Sequence, residues 1–255
     1  MKTAIFTITK DDPFLALWWN YYKRHHPKDD VFILNNGGPL PTNSNNIIEC
    51  PHPEGLAFDH DWLREKVQSF QAELLGRYDW VVFTETDELL VPMANERPLN
   101  VSFGEVLKEV CKASDVDVLV PQSRDILHDP FNEPPLNGRP SLKQRGWWEH
   151  RLCMDKPIIS RVPLTWINGF HSLAMSPQPG MKRSVNLMLL HFHRVDYGIA
   201  KRRAEERSKM QWSPKDLVFG LGKRNRLVGE EFETAFFDGM MTNAHRIPEE
   251  WRIDL

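Results

Sequence analysis

The sequence has little of several features that mark common classes of protein. Of its 255 residues only three are cysteines, which lie far apart at Cys50, Cys111 and Cys153. This excludes a zinc site of the paired-cysteine type and a disulfide framework, and it indicates a reducing compartment. No apolar run approaches the roughly 18 residues that a membrane-spanning helix needs. Acidic and basic residues nearly balance, at 35 and 32, so the overall charge does not indicate a nucleic-acid-binding protein.

The N-terminal segment also lacks the apolar core of a signal peptide, because it becomes polar at residues 10–12. We therefore expect a cytoplasmic protein. What the chain does have is apolar material. Hydrophobic residues make up 41% and charged residues 26%, a globular composition that can bury a substantial core. No flexible linker divides the chain, so we expect a single domain over residues 1–255.

The first half of the chain alternates between strand and helix patterns. The predicted strands are residues 3–9, 31–34, 80–83 and 116–120, and the predicted helices are residues 14–26, 60–77 and about 102–112. Such alternation implies an α/β fold whose sheet is mostly parallel, with helices on both sides. After Pro121 the pattern loosens. We expect strands at 157–163 and 185–193 and a charged helix over 196–210, and a loop over 40–57.

An acidic segment follows the apolar strand 80–83. In an open α/β sheet, ligands bind at the carboxyl ends of the strands, where Glu85, Asp87 and Glu88 would lie. Glu85 and Asp87 are two residues apart, so in extended backbone they point the same way. Two converging carboxylates repel each other unless a cation lies between them, and oxygen ligands suit Mg²⁺ or Mn²⁺. The alternative is a solvated acidic turn.

Two histidine-containing segments are further candidates. His191 and His193 are two residues apart in a predicted strand, and imidazole joins carboxylates readily at Mn²⁺. Arg194, next in the chain, could neutralise a phosphate. The alternative is a pair of hydrogen-bonded histidines at a strand end. The turn at residues 168–172 presents His171, and its alternative is an ordinary turn.

The order of these segments resembles the glycosyltransferase family 2-like group, in the branch with a D-x-D-E-F-type motif. The similar segments are residues 9–25 (TKDDPFLALWWNYYKRH), 31–38 (VFILNNGG), 68–90 (QSFQAELLGRYDWVVFTETDELL), 156–163 (KPIISRVP) with 169–171 (GFH), and 191–194 (HFHR). Together they cover about residues 1–210 in order. Two positions depart from the family: Glu85 replaces its first Asp, and Asn35 replaces the Asp that commonly faces the base or ribose.

The resemblance implies a GT-A-like fold, a Rossmann-type sheet flanked by helices. Residues 1–121 would bind the nucleotide-sugar, and the looser half, residues 122–255, would bind the acceptor. It also implies a metal-dependent, inverting transfer of a sugar from a UDP- or GDP-linked donor to a hydroxyl of a glycan or lipid-linked glycan. Two other hypotheses stay open. One is a nucleotidyltransferase or phosphohydrolase, although residues 10–13 form no glycine-rich phosphate loop. The other is a non-catalytic nucleotide-sugar-binding relative.

The resemblance further implies roles for individual residues. The expected ligands of Mn²⁺ or Mg²⁺ are Asp87, Glu85, His191 and His193. The expected contacts to the nucleotide-sugar are Thr7, Thr9, Asp11, Asn35, Glu85 and Arg194. An inverting transfer needs a group that accepts the proton of the incoming hydroxyl. For this role we predict Glu149, beside Trp147 and Trp148, then Asp125 and then His171. The alternative for Glu149 is a surface carboxylate beside core tryptophans.

Residues 201–226 form a basic segment with nine basic and three acidic residues. It is either a solvated helix face with its loop or a contact surface for a polyanion. The candidate polyanions are anionic lipid headgroups, a phosphorylated glycan, and DNA that carries a hydroxylated base, the last of which is not favoured. Since the sequence predicts no membrane helix, any membrane contact would be peripheral.

Overall fold

A computed structural model describes residues 1–40, 45–112, 116–138, 141–167, 169–174, 179–238 and 243–255. The strands are β1 (Thr3–Thr9), β2 (Val31–Asn35), β3 (Ile47–Glu49), β4 (Trp80–Phe83), β5 (Glu88–Ala94), β6 (Arg97–Pro98), β7 (Val118–Leu127), β8 (Trp147–Glu149), β9 (Ile159–Ser160), β10 (Met181–His191) and β11 (His245–Arg246). The α-helices are α1 (Leu15–His25), α2 (His60–Leu75), α3 (Phe103–Lys112), α4 (Tyr197–Ser208), α5 (Pro214–Val218) and α6 (Gly229–Phe237). The protein is thus a mixed α/β structure.

One large sheet runs through the molecule in the order β3-β2-β1-β4-β9-β7-β10-β5-β6, with β8 on β7 and β11 on β8. Parallel pairs join β3, β2, β1 and β4 on one side, and β7 and β10 on the other. The short β9 pairs antiparallel with both β4 and β7. Besides the short β6 and β11, six codirectional strands, β1, β2, β3, β4, β7 and β10, therefore run in one direction, and their carboxyl ends share one edge of the sheet.

Helix α1 fixes the turn that follows β4. Trp18 Nε1 donates to Thr84 Oγ1 over 2.7 Å, and the Tyr21 hydroxyl donates to the Leu90 carbonyl over 2.7 Å. The Tyr22 hydroxyl in turn accepts from the Leu90 amide over 2.9 Å. These aromatic rings are buried in a core that draws on both halves of the chain. The acidic segment after β4 is consequently held by a rigid helix.

Several strands differ from the sequence prediction, for identifiable reasons. β5 was not predicted, because it begins at Glu88, within the acidic segment, and contains Pro92, which is unfavourable inside a strand. β3 lies within the predicted loop over 40–57, since three residues are too few for a pattern. β7 continues beyond Pro121, which is tolerated because Pro121 faces Ser184 where the register with β10 shifts. The predicted strand 157–163 is reduced to β9, and β10 begins at Met181.

The expectation of a mostly parallel sheet is confirmed for the six codirectional strands only. The remaining pairings, which involve β5, β6, β8, β9 and β11, are antiparallel. The helices α1, α2 and α4 are confirmed within two or three residues of their predicted ends. Within the described residues, no helix has both the length and the apolar character needed to cross a membrane.

Candidate functional site

Four titratable side chains form a row across neighbouring strands. Glu88 of β5 faces His191 of β10, His191 is in register with Asp125 of β7, and Asp125 faces Glu149 of β8. All four residues are buried. Because residues in register on adjacent strands project to the same face, the sheet brings these groups together from four separate parts of the chain. The row lies at the edge where the six codirectional strands end.

The centre of this row leaves three buried polar atoms that converge without hydrogen bonds to the described residues. Asp125 Oδ1 lies 3.2 Å from His193 Nδ1 and 3.8 Å from His191 Nδ1, and none of the three has a hydrogen-bond partner. Asp125, His191 and His193 can each offer one ligand atom within 4.8 Å of the others. Buried polar atoms are seldom left unpaired, so two imidazoles and a carboxylate arranged in this way fit a divalent cation.

Asp87 lies beside this cluster, on the opposite edge of the His191 ring. Its Oδ1 is 3.8 Å from His191 Nε2, and its Oδ2 accepts from Arg203 Nη1 over 2.9 Å. Burial raises the pKa of the Asp87 carboxyl, but Arg203 and the two histidines outweigh burial and hold that pKa well below its usual range. A carboxylate in this position can orient a metal-binding imidazole from behind. The structure thus places Asp87 next to the three convergent residues and does not include it among them.

Glu85, a predicted metal ligand, is engaged elsewhere. Its carboxylate and that of Glu88 share the ammonium group of Lys156, whose Nζ lies 2.6 Å from Glu88 Oε1. Burial raises the pKa of Glu85, yet Lys156 outweighs it and lowers the pKa. Burial raises the pKa of Glu88 to about 7. Glu85, expected to hold the cation directly or through water, is thus paired with Lys156 and is not one of the three convergent residues Asp125, His191 and His193.

Arg194 is not available for a phosphate. Its Nε and Nη2 donate to Asp125 Oδ2 over 3.0 and 2.8 Å, its Nη1 donates to the carbonyls of Phe236 and Asp238, and its Nη2 also contacts Glu149. A guanidinium group has five N–H donors, and these contacts use all of them. The prediction that Arg194 binds the donor is therefore corrected: Arg194 holds Asp125 in place.

Glu149 is likewise not a free proton acceptor. It is fully buried between Arg194 and Arg151, whose Nε lies 2.6 Å from Glu149 Oε1. A carboxylate between two guanidinium groups is stabilised in its ionised form and makes a poor base. Trp148 packs edge-on against Trp251, with the ring centroids 5.6 Å apart. The prediction for Glu149 is wrong, although the carboxylate is buried and not on the surface as the alternative supposed.

His171 is the remaining predicted proton acceptor. It is exposed, whereas Asp125 and Glu149 are buried. Burial of part of the ring and the nearby charge of Lys156 lower the pKa of His171, which keeps the imidazole neutral at pH 7. The turn that presents it includes Gly169, with φ of +84°, where an added Cβ would come within 3.1 Å of the His171 ring. Asn168 lies outside the described residues.

The predicted nucleotide contacts lie at the carboxyl ends of β1 and β2. Thr9 and Asn35 are in register, and Thr9 Oγ1 is buried without a hydrogen-bond partner in the described part of the chain. Asn35 Nδ2 donates to the Glu49 carboxylate over 3.0 and 3.1 Å. Asp11 is exposed, with φ of +47°. Thr7 lies deeper in β1 and is fully buried. The structure brings Thr9, Asp11 and Asn35 to one edge and places Thr7 below them.

Two arginines of α4 were predicted only as members of the basic segment, residues 201–226. Arg203 is buried and bridges two carboxylates, with Nη1 on Asp87 and Nη2 on Asp12 over 2.8 Å. Arg207 lies one turn later on the same helical face and is half-buried. Within the described residues, its guanidinium group has no hydrogen bond or ion pair, and burial and the charge of Arg203 lower its pKa. The sequence feature that could have indicated them is their spacing: Arg203 and Arg207 are four residues apart in the predicted helix that follows the HFHR segment.

Comparison with known proteins identifies no family. No family model matches the chain, and no curated protein matches it. Among solved structures the chain is similar to TarS of S. aureus, a glycosyltransferase, with 12% sequence identity and a TM-score of 0.33. The similarity covers 93% of this chain and 44% of TarS, so the chain spans less than half of that protein's length. At this TM-score, function must be inferred from the chain's own residues.

The buried His191 is expected to make stability depend on pH. Burial, with the charge of His193, lowers the pKa of His191 to about 4. Between pH 6.5 and about 4 the unfolded chain takes up a proton that the folded chain refuses, so the free energy of unfolding falls as the pH falls. For a shift of this size the fall amounts to at most about 3–4 kcal/mol. Urea unfolding across this range, with EDTA present, measures it.

The matched comparison uses two histidine variants. His191→Gln is expected to show a shallower fall than the parent protein, whereas His245→Gln, at an exposed position of β11, should leave the slope unchanged. An equally steep fall in His191→Gln would contradict the assignment of a neutral, buried imidazole.

Proposed function

We propose that this protein is a metal-dependent glycosyltransferase that moves a sugar from a UDP- or GDP-linked donor to an acceptor hydroxyl. The observation that carries the proposal is the convergence of three unpartnered ligand atoms, from Asp125, His191 and His193. They lie at the sheet edge where ligands of open α/β folds bind. The resemblance to the family 2-like glycosyltransferases supports the reaction, and a mixed sheet flanked by helices is compatible with that fold.

Asp125, His191 and His193 would hold the metal, because two imidazoles and a carboxylate suit Mn²⁺. When bound, the cation would offset the negative charge that develops on a departing nucleoside diphosphate. Asp87 would keep the His191 ring oriented, and Arg194 would keep Asp125 oriented through its contacts to Oδ2. Of the two carboxylate oxygens of Asp125, Oδ2 is then occupied by Arg194 and Oδ1 is free to face the cation.

Arg207 would bind the phosphates of the donor. It is a half-buried cation that makes no hydrogen bond or close ion pair in the described residues, whereas its neighbour Arg203 already pairs with Asp12 and Asp87. A guanidinium group matches the geometry of phosphate oxygens and forms two parallel hydrogen bonds with them. The ion-pairing capacity of Arg207 therefore suits the diphosphate of a nucleotide-sugar.

The nucleoside and the acceptor would use opposite parts of the edge. Thr9, Asp11 and Asn35 would contact the base or ribose, and the Thr9 hydroxyl has hydrogen-bonding capacity to spare. His171 would accept the proton of the incoming hydroxyl, because it is both exposed and neutral at pH 7. The acceptor would be a glycan or a lipid-linked glycan.

A thermal-unfolding panel of UDP- and GDP-sugars, with and without Mn²⁺, tests the proposal. The matching donor at about 100 times its Kd should raise the melting temperature by about 5–10 °C, and only with the metal. Arg207→Ala should weaken donor binding at least about tenfold while leaving the melting temperature of the ligand-free protein unchanged. Arg202→Ala, at an exposed neighbouring position on α4, is the control and should bind the donor normally.

Three outcomes would contradict the proposal. A panel in which no nucleotide-sugar stabilises the protein would remove the donor. Metal-dependent hydrolysis of nucleotides without sugar transfer to any acceptor would indicate a phosphohydrolase. Tight donor binding without turnover would indicate a non-catalytic relative.

A further inference from the structure

Three consecutive apolar side chains stand exposed at the end of α5. Leu217, Val218 and Phe219 are 54%, 79% and 70% exposed, and we call residues 217–219 the α5 tip. Single exposed apolar side chains are common on soluble proteins, but contiguous ones mark a contact surface. None of the three belongs to the site described above.

The α5 tip rests on a firmly packed base. Trp212, just before α5, stacks on His60 with ring centroids 5.6 Å apart and meets Phe58 edge-on at 5.1 Å. Asp216, inside α5, is fully buried, and its Oδ2 lies 2.9 Å from His60 Nδ1. Because the residues directly before the tip are anchored in this way while the tip itself is exposed, its apolar side chains are presented outside the core.

The surroundings of the tip are cationic. Residues 209–226 contain a single acidic residue, the buried Asp216, and five basic residues: Lys209, Lys215, Lys223, Arg224 and Arg226. Lys215 pairs with Asp61, and Arg224 with Asp238. Lys209 and Lys223 are exposed and have no ion-pair partner in the part of the chain that the structure describes. The apolar tip thus lies, along the chain, between two exposed lysines that have no ion pair within the described residues.

We propose that the α5 tip docks the protein on an anionic lipid surface. Leu217, Val218 and Phe219 would enter the interface between headgroups and acyl chains, and the flanking lysines would lie at the level of the lipid anions. A nucleic acid would use the cations but would leave three apolar side chains exposed to water. The charge around the tip and its apolar character together favour lipid. This inference does not depend on the proposed function, because it uses none of the site residues.

Vesicle co-sedimentation at low salt tests the docking. The protein should bind vesicles of phosphatidylcholine with about 30% phosphatidylserine and not vesicles of phosphatidylcholine alone, and high salt should release it. Val218→Ser/Phe219→Ser should lower the bound fraction at least about tenfold, because it removes the apolar contact. Lys209→Gln/Lys223→Gln should lower binding by several-fold. Phe131→Ser, at an equally exposed position that is 83% accessible, is the control and should bind like the parent.

The melting temperature of each variant shows whether it folds, and exposed serines should leave that temperature unchanged. Failure of the parent protein to bind the anionic vesicles would overturn the proposal, as would undiminished binding by Val218→Ser/Phe219→Ser. A parent dimer that this variant converts to a monomer would show that a second copy of the chain covers the tip, and it would also overturn the proposal. Nucleotide-sugar binding is measured separately, so failure of the docking and failure of the proposed function are distinguishable.

Discussion

Replacement of His193 by alanine is expected to weaken Mn²⁺ binding by at least about 100-fold. Loss of a residue that only supports a metal ligand costs about 10–100-fold in affinity, and loss of a ligand itself should cost no less. His193 supplies one of the three convergent ligand atoms. Its Nδ1 makes no hydrogen bond within the described residues, and 38% of the side chain is exposed. The substitution leaves no deep cavity, and Asp125 keeps its ion pair with Arg194 through Oδ2, so stability should change by less than about 1 kcal/mol. Calorimetric titration with Mn²⁺ measures the affinity, and urea unfolding measures the stability.

His171→Ala is the matched control for this prediction. His171 is an exposed histidine that lies outside the convergent cluster, so Mn²⁺ affinity should be unchanged. If His171 accepts the proton of the acceptor, the same variant should lose sugar transfer by about 100-fold or more while it still binds the metal. Retention of the parent's Mn²⁺ affinity by His193→Ala would show that the metal, if one is used, lies elsewhere.

Replacement of Arg203 by methionine is expected to cost about 3–5 kcal/mol of the free energy of unfolding. Arg203 is buried, bridges Asp87 and Asp12, and packs with its guanidinium carbon 5.1 Å from the centre of the Phe14 ring. Methionine keeps most of the side-chain volume but leaves the buried Asp87 carboxylate without its cation. The cost arises because an unpaired buried charge loses its hydration without compensation. Urea unfolding of the variant and the parent measures the difference.

Two further variants isolate the ion pair. Arg202→Met, at the preceding exposed position of α4, should change stability by less than about 0.5 kcal/mol. Asp87→Asn, added to Arg203→Met, should recover part of the loss because it removes the unpaired charge. A loss below about 1 kcal/mol in Arg203→Met would match an exposed ion pair and would contradict the buried bridge.

Much of the architecture could be predicted from local patterns. The strands β1 and β4 and the helices α1, α2, α3 and α4 depend on periodicity, capping residues and turn residues, which operate over a few positions. The antiparallel strands were harder. β5 begins within the acidic segment and contains Pro92, and β9 has only two residues.

The sequence predicted which types of residue form the candidate site, but it did not predict which residues pair with each other there. Aspartates and histidines near strand ends indicated a cation, and Asp87, His191 and His193 do lie together. Asp125 was expected as a base, and it became a candidate ligand because β7 and β10 place it in register with His191. Glu85 instead forms an ion pair with Lys156, and Arg194 instead forms ion pairs with Asp125 and Glu149.

The sequence alone determined most of the alternation of strands and helices in the first half of the chain and the kinds of side chain at the sheet edge, because both follow from residue type and short-range spacing. Only the tertiary structure decided which of these side chains are free to bind. Lys156 meets Glu85 from 71 residues away, and Arg203 meets Asp87 from 116 residues away. Such pairs form through strand register and helix packing, and the spacing of residues along the chain does not predict either of these. They neutralise some carboxylates and leave Asp125 Oδ1 and the two imidazoles for a cation.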